Sequence, residues 1–120
     1  MSIRDKILGS ALKEKTITLP VWGEVHIREL NGKGRGKFEK ALLDKDPAAA
    51  RIWTIIYGVV DENGKAAFQE IDFQALAEKS GELLDSLASQ ILSLSEACAD
   101  ALEKAEQNLD ETRSDSSSSI

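Results

Sequence analysis

Apolar and polar residues alternate in two short runs near the N-terminus. The runs cover residues 15–20 and 24–30, and the turn between them contains Pro20 and Gly23. Strand side chains point to opposite faces in turn, so the apolar residues of both runs share one face: Ile17, Leu19, Val25 and Ile27. The pattern predicts a two-stranded antiparallel hairpin. Helices must cover its apolar face, because an isolated hairpin is only marginally stable in water.

Helical spacing dominates most of the remaining chain. Ser2 is a candidate N-cap of a short helix that reaches Gly9. The glycine-rich residues 31–36 predict a flexible lead-in to a helix. The apolar face of that helix comprises Phe38, Ala41, Leu42 and Leu43. Asp46 followed by Pro47 is typical of an N-cap and a first helical position, so a second helix is expected to begin there.

Residues 52–60 allow two interpretations. They are rich in β-branched and aromatic residues, which favours a buried strand in the second half of the segment. The start signal just before the segment favours a helix, and we adopt the helix. Residues 61–64, Asp-Glu-Asn-Gly, then predict a tight turn. Asp72 is expected to cap a short helix whose apolar positions are Phe73, Leu76 and Ala77.

The last predicted helix, over residues 82–109, is the longest. Its apolar positions recur at steps of three and four, interrupted by Ser95. Its length would be roughly 40 Å, whereas a domain of about 100 residues has a radius of gyration near 13 Å. Either the helix breaks near residues 93–95 and folds back, or another chain covers its distal half. The second alternative predicts the partner-binding residues Leu94, Ala101, Leu102, Ala105 and Leu109.

Together these elements predict an α+β fold that is mainly helical. An N-terminal antiparallel β-hairpin packs against about four helices, and a long C-terminal helix completes the fold. Residues 1–14 are expected to form an N-terminal arm or short helix, and residues 15–110 a single domain. The serine-rich residues 111–120 are expected to be a disordered tail, because they cannot bury enough apolar surface to offset their ordering entropy.

The charge balance points to a protein partner. Fifteen Lys and Arg stand against twenty-one Asp and Glu, and the net charge of −6 repels nucleic acid and anionic lipid. Charges at residues 4–6 interrupt any signal-like apolar run, and no stretch approaches the length of a membrane span. The single cysteine, Cys98, allows no intramolecular disulfide. We therefore expect a cytosolic protein that binds neither nucleic acid nor membrane.

The sequence offers little catalytic chemistry. His26 is the only histidine, which excludes a paired-histidine metal site, and we interpret it as structural or at the surface. Cys98 lies among alanines, where core packing is the favoured role. Residues 32–37 are one residue short of a phosphate-binding loop, and Phe38 replaces the required hydroxyl. We predict a non-enzyme without cofactor or metal; a nucleotide-handling enzyme built on this glycine-rich stretch is a weaker hypothesis.

Three patterns in this order resemble the tail assembly chaperones of siphophages. The first is the hairpin segment 21–30, followed by Gly32 and the pair Phe38-Glu39. The second is Val-Val-Asp-Glu-Asn-Gly-Lys at residues 59–65, with Phe68 after it. The third is Leu-Ala-Glu-Lys-Ser at residues 76–80, which opens the long helix. The similarity spans about residues 16–105. Gly34 and Gly36 depart from the more helical residues expected at these positions.

The resemblance implies a non-enzymatic chaperone. Many copies would bind the long, helical tape measure protein, keeping it soluble until the tail tube polymerises. Self-association through the distal part of the last helix is expected from its uncovered apolar face. A longer product made by ribosomal frameshifting would recruit the tail tube protein. The protein would act in the host cell cytoplasm and be absent from the mature virion. The alternative is a small acidic regulatory adaptor that binds one folded protein partner at fixed stoichiometry.

Overall fold

The predicted α+β, mainly helical architecture is confirmed. A computed structural model of the chain describes residues 2–95. In chain order its elements are α1 (Ile3–Leu8), β1 (Glu14–Leu19), β2 (Gly23–Arg28), α2 (Gly32–Leu43), α3 (Pro47–Gly58), β3 (Val59–Val60), a 3₁₀ turn (Glu70–Asp72), α4 (Phe73–Ala77) and α5 (Gly81–Leu92). Ser2 caps α1 as predicted, since its side chain accepts a hydrogen bond from the Asp5 N–H.

The predicted hairpin forms the larger part of a three-stranded antiparallel sheet. Strands β1 and β2 pair with Ile17 opposite Val25, so the predicted apolar face is confirmed. Strand β3 pairs with the other edge of β2, where Val59 lies opposite Ile27. Residues 52–60 therefore satisfy both interpretations in part. The helix runs through Gly58, and the last two residues add a short strand that the sequence analysis did not place in the sheet.

Residues 32–36 of the glycine-rich stretch are helical, so the prediction of a flexible lead-in was wrong. Helix α2 begins at Gly32, and the Asn31 side chain caps it by accepting a hydrogen bond from the Gly34 N–H at 2.8 Å. Packing also explains why a glycine occurs in this helix. A Cβ atom on Gly34 would lie 2.7 Å from the Tyr57 Cβ atom, so α2 packs closely on α3 through a position that only glycine fills.

The predicted cap at Asp46 and the predicted turn at residues 61–64 are confirmed, whereas the predicted cap at Asp72 is not. The Asp46 carboxylate accepts a hydrogen bond from the Ala49 N–H at 3.0 Å and so caps α3. The Asp61 carboxylate accepts from two backbone N–H groups of the predicted turn, at 2.8 and 2.9 Å. Asp72 makes no side-chain cap on α4; it accepts from the Gln69 N–H instead and stabilises the 3₁₀ turn.

The core lies between the sheet and α3, α4 and α5, and a second cluster joins α2 to the ends of α3 and α5. The largest side chains that are almost fully buried are Phe38, Ile27, Ile55, Ile91, Leu92 and Thr54. The Thr54 hydroxyl is satisfied because it donates to the Ala50 carbonyl at 2.7 Å. Leu43 was wrongly assigned to the α2 core face: it is 82% exposed, since it lies about 140° around the helix from Phe38.

Helix α5 begins after Ser80, whose hydroxyl accepts a hydrogen bond from the Leu83 N–H at 3.3 Å. It ends at Leu92, and residues 93–95 form a turn in which the Ser93 hydroxyl donates to the Gln90 carbonyl at 2.8 Å. The helix predicted over residues 82–109 is thus confirmed as far as Leu92, and the turn at residues 93–95 lies where the first alternative placed a break. Its distal half and the serine-rich tail lie outside the described residues.

Candidate partner-binding site

An apolar groove opens between the hairpin tip, α3, α4 and α5. It has a volume of about 350 Å³, within the range of pockets that bind apolar groups. Every element around it contributes side chains: Trp22, Val25, Ile55, Val59, Ala67, Phe68, Leu76, Lys79, Leu84 and Leu87. Lys79 is the charged residue in this lining. The groove therefore suits aliphatic or aromatic side chains of a partner.

The apolar stripe of α5 serves both the groove and the core. Leu84 and Leu87 line the groove from the first half of the helix. Ile91, one to two turns later on the same buried face, packs against α3 so closely that a Cβ atom on Gly58 would lie 2.5 Å from its Cγ2 atom. This contact at the second half of the helix holds α5 against α3. The groove wall is consequently anchored to the core.

The hairpin tip beside the groove combines strain with exposure. The Trp22 N–H donates to the Pro20 carbonyl at 2.8 Å, and Val21 between them has φ 73°. These are the features of a classic γ-turn, which is rare and strained, the more so for a β-branched residue. Val21 is 90% exposed, so no packing compensates the strain. Because such strain concentrates at functional sites, the tip is a candidate contact surface.

A small polar cluster joins α2, α3 and the 3₁₀ turn next to the groove. The Tyr57 hydroxyl donates to the Glu70 carboxylate at 2.6 Å, and Lys37 Nζ lies 3.7 Å from the same carboxylate and 4.8 Å from the Trp53 ring centroid. The hydrogen bond raises the pKa of Tyr57. Together with the Lys37 charge it lowers the pKa of Glu70. The cluster fixes the 3₁₀ turn that follows Phe68.

His26 lies in a cross-strand arrangement on the sheet. Its Nδ1 atom is 2.9 Å from the Thr16 hydroxyl, and its Nε2 atom is 3.8 Å from the Glu24 carboxylate. A hydroxyl nucleophile needs a base that a third group orients through a hydrogen bond. At 3.8 Å the carboxylate is beyond that reach. The geometry fits the predicted structural histidine better than a catalytic relay.

The basic residues around α2 are engaged with acidic and carbonyl groups. Arg35 Nε lies 3.3 Å from the Glu39 carboxylate, and Lys40 Nζ lies 3.0 Å from that of Asp44. The Arg28 side chain donates to the Tyr57 carbonyl at 3.2 Å. In the first turn of α2, the Gly34 N–H donates to the Asn31 side chain rather than being left for a phosphate. These contacts disfavour the nucleotide-binding hypothesis.

Of the partner-binding residues predicted from sequence, Leu94 is described. It is partly buried against the main core cluster. Ala101, Leu102, Ala105 and Leu109 lie outside the described residues, so their role stays a prediction. The sequence analysis did not identify the groove. Its one visible signal was the pair Val21-Trp22 in a turn, where small and polar residues are usual.

Two further properties hold for the described part of the chain. Residues 2–95 contain no group of three or more His, Cys, Asp or Glu side chains placed to hold a metal ion. Among the helices of the same residues, none has the length and apolar character needed to cross a membrane.

Comparison with known proteins identifies the fold. No protein-family model matches the chain, and no curated protein matches its sequence. Among solved structures, the tail assembly chaperone of bacteriophage HK97 is similar, with a TM-score of 0.61 and 23% sequence identity. The match covers 78% of this chain and 95% of that one. The chain therefore has the fold of a phage tail assembly chaperone, as the three sequence patterns implied.

Proposed function

We propose that this protein is a phage tail assembly chaperone that binds the tape measure protein and keeps it soluble before the tail tube polymerises. The observation that carries the proposal is the fold, which matches almost the whole length of the HK97 tail assembly chaperone. The three sequence patterns also support it. Residues 21–39 cover the hairpin turn, β2 and the first part of α2, residues 59–68 cover β3 with the turn after it, and residues 76–80 cover the end of α4 and the link to α5.

The apolar groove supplies the chemistry that such a client needs. A long helical protein waiting for assembly exposes an apolar stripe with side chains at helical spacing, and grooves bind such stripes through a few anchoring side chains. We place the client at the groove and the hairpin tip. Trp22 joins these two surfaces, since it lines the groove and is still 39% exposed. The net charge of −6 favours solubility of the protein while the apolar surface of the groove and the hairpin tip is exposed to solvent.

The remaining features of the function follow from the chaperone role. The protein would work without catalysis or cofactor, in the host cell cytoplasm, and would leave before the virion is complete. It would self-associate, and a longer frameshifted product would recruit the tail tube protein. The residues predicted from the sequence pattern, Leu94 and the four positions beyond the described part, would add client contacts.

Co-expression tests the proposal. The candidate client is the product of a very long, coiled-coil-rich reading frame immediately downstream, which should stay soluble and co-purify with this chain. Trp22→Ser should abolish co-purification because it removes the aromatic side chain shared by the groove and the tip. Leu43→Ser is the matched control, since Leu43 is 82% exposed but does not line the groove. Circular dichroism should show both variants folded.

Two results would contradict the proposal. Failure of the unmodified chain to retain the long client in solution would remove the chaperone role. Capture of one folded partner at a fixed one-to-one molar ratio, obtained from the mass of the complex by light scattering, would indicate the adaptor instead. Several copies per client molecule is the result expected for the chaperone.

A further inference from the structure

The apolar groove has a floor and a rim that differ in chemistry. The floor is formed by lining side chains that are buried in the fold: Ile55, Val59, Leu76, Leu84 and Leu87. The rim is formed by exposed lining residues: Trp22 on the hairpin tip, Ala67 in the loop after β3, and Lys79 in the link between α4 and α5. Because the floor is entirely apolar, charged side chains of a partner meet the groove at its rim.

The Lys79 ammonium group is available to a partner. Within residues 2–95 it makes no hydrogen bond and no ion pair. Asp85, on the first half of α5, is paired instead with Arg51 on α3, where the guanidinium Nε lies 2.9 Å from the carboxylate. Glu78 and Glu82 are close to Lys79 in sequence but do not line the groove. A cation at the rim of an apolar groove attracts a carboxylate of the partner and repels a second cation.

We propose that Lys79 makes the groove selective for client stretches in which an acidic residue flanks the apolar anchors, and against stretches with Lys or Arg at that position. This inference rests on the proposed function, because it takes a helical apolar stripe of the client as the occupant of the groove. Side chains three and four positions apart are neighbours on a helix, so an acidic residue at that spacing from a floor anchor reaches the rim. Trp22 is uncharged, so the selection acts on the side of the stripe that faces the α4–α5 link.

The charge of the whole protein predicts the opposite preference, since a net charge of −6 attracts a basic client. Screening decides between the two effects. At about 0.15 M ionic strength, exposed charges separated by more than about 8 Å interact only weakly. The contact at the rim is short and is shielded from water on its apolar side, so it is screened less. A preference of about three- to tenfold for the acidic stretch is therefore expected.

Binding of two synthetic peptides to the full chain tests the selectivity. Each fluorescent peptide has about 18 residues with Leu at positions i, i+3 and i+7, and the flanking positions carry Glu in one peptide and Lys in the other. Fluorescence anisotropy should give a Kd about three- to tenfold lower for the Glu peptide. Lys79→Glu should reverse this preference. Lys65→Glu is the matched control and should preserve it, because it gives the same net charge at an exposed residue that does not line the groove.

The outcomes separate this inference from the proposed function. Equal affinity for the two peptides, or a preference that Lys79→Glu leaves unchanged, would overturn the selectivity, whereas binding that Trp22→Ser abolishes would still place apolar stripes in the groove. If neither peptide bound the unmodified chain, the groove would not be the client site and the selectivity would fall with it; co-expression with the long client tests the chaperone role separately. At about 1 M salt, where the screening length is about 3 Å, the preference should shrink toward one, and a preference unchanged by salt would contradict its origin in charge.

Discussion

Gly34 and Gly36 lie two residues apart in α2 and should respond oppositely to the same substitution. A Cβ atom on Gly34 would lie 2.7 Å from Tyr57 Cβ and 2.9 Å from Tyr57 Cγ, atoms too near the backbone to move aside. A Cβ atom on Gly36 would meet nothing within 4 Å. Replacing each glycine by alanine therefore separates the close packing of α2 on α3 from the helix propensity of the added methyl group.

The magnitudes follow from two opposing effects. Alanine stabilises a helix interior by up to about 1 kcal/mol relative to glycine, so Gly36→Ala should raise the free energy of unfolding by roughly 0.5–1 kcal/mol. Overpacking in a closed contact typically costs about 1–3 kcal/mol, which outweighs that gain at Gly34. Gly34→Ala should lower the free energy of unfolding by roughly 1–2 kcal/mol. The two variants should thus differ by about 2 kcal/mol.

Urea unfolding followed by circular dichroism measures both changes, and thermal unfolding should separate the two midpoints by about 10 °C. Equal slopes in urea would show that both variants unfold from comparably compact states. If Gly34→Ala stabilised the protein as much as Gly36→Ala, the two helices could not lie as close as described.

Three further predictions concern single side chains. Tyr57→Phe should raise the pKa of Glu70 toward its ordinary value, as measured by NMR titration. Because the folded protein lowers this pKa, the Tyr57–Glu70 pair stabilises the fold at pH values above the ordinary pKa of a glutamate, and this stabilisation is lost as the pH falls through the lowered pKa. Asp46→Ala should cost about 1 kcal/mol in urea unfolding through loss of the α3 cap, and no loss would contradict the cap. Phe38→Ala should cost about 3–5 kcal/mol and Leu43→Ala less than about 0.5 kcal/mol, so similar costs would refute the assigned α2 face.

Local signals in the sequence predicted most of the fold because their causes are local. The cap at Asp46 and the turn at residues 61–64 depend on hydrogen bonds within a few residues, and the hairpin depends on alternation that its own strands contain. The glycine-rich start of α2 was misjudged for the opposite reason. Whether Gly34 marks a loop or a close helix contact depends on Tyr57, which is distant in sequence.

The candidate site was harder to predict than the fold. The groove exists only where the hairpin tip, the loop after β3 and the start of α5 meet, and its residues are ordinary apolar residues in sequence. Leu84, Leu87 and Ile91 look the same in the helical pattern and all three are buried, yet only the first two also line the groove. The pattern shows which side of a helix is apolar, but not which part of that side its neighbours leave open.

The loop that carries Phe68 gives the groove one compliant side. Ala66 is bridged to Val60, and two residues beyond Phe68 the Glu70 carboxylate is bonded to Tyr57 at a solvent-accessible position. Phe68 thus sits on a short span between two anchors, while the opposite walls belong to helices and strands. Residues 67–69 belong to no helix or strand, so this side of the groove can shift at less cost than the others when partner side chains differ in size. If the proposed client binds in this groove, that side would let the groove accept successive apolar stretches of one long protein by their spacing rather than by their exact sequence.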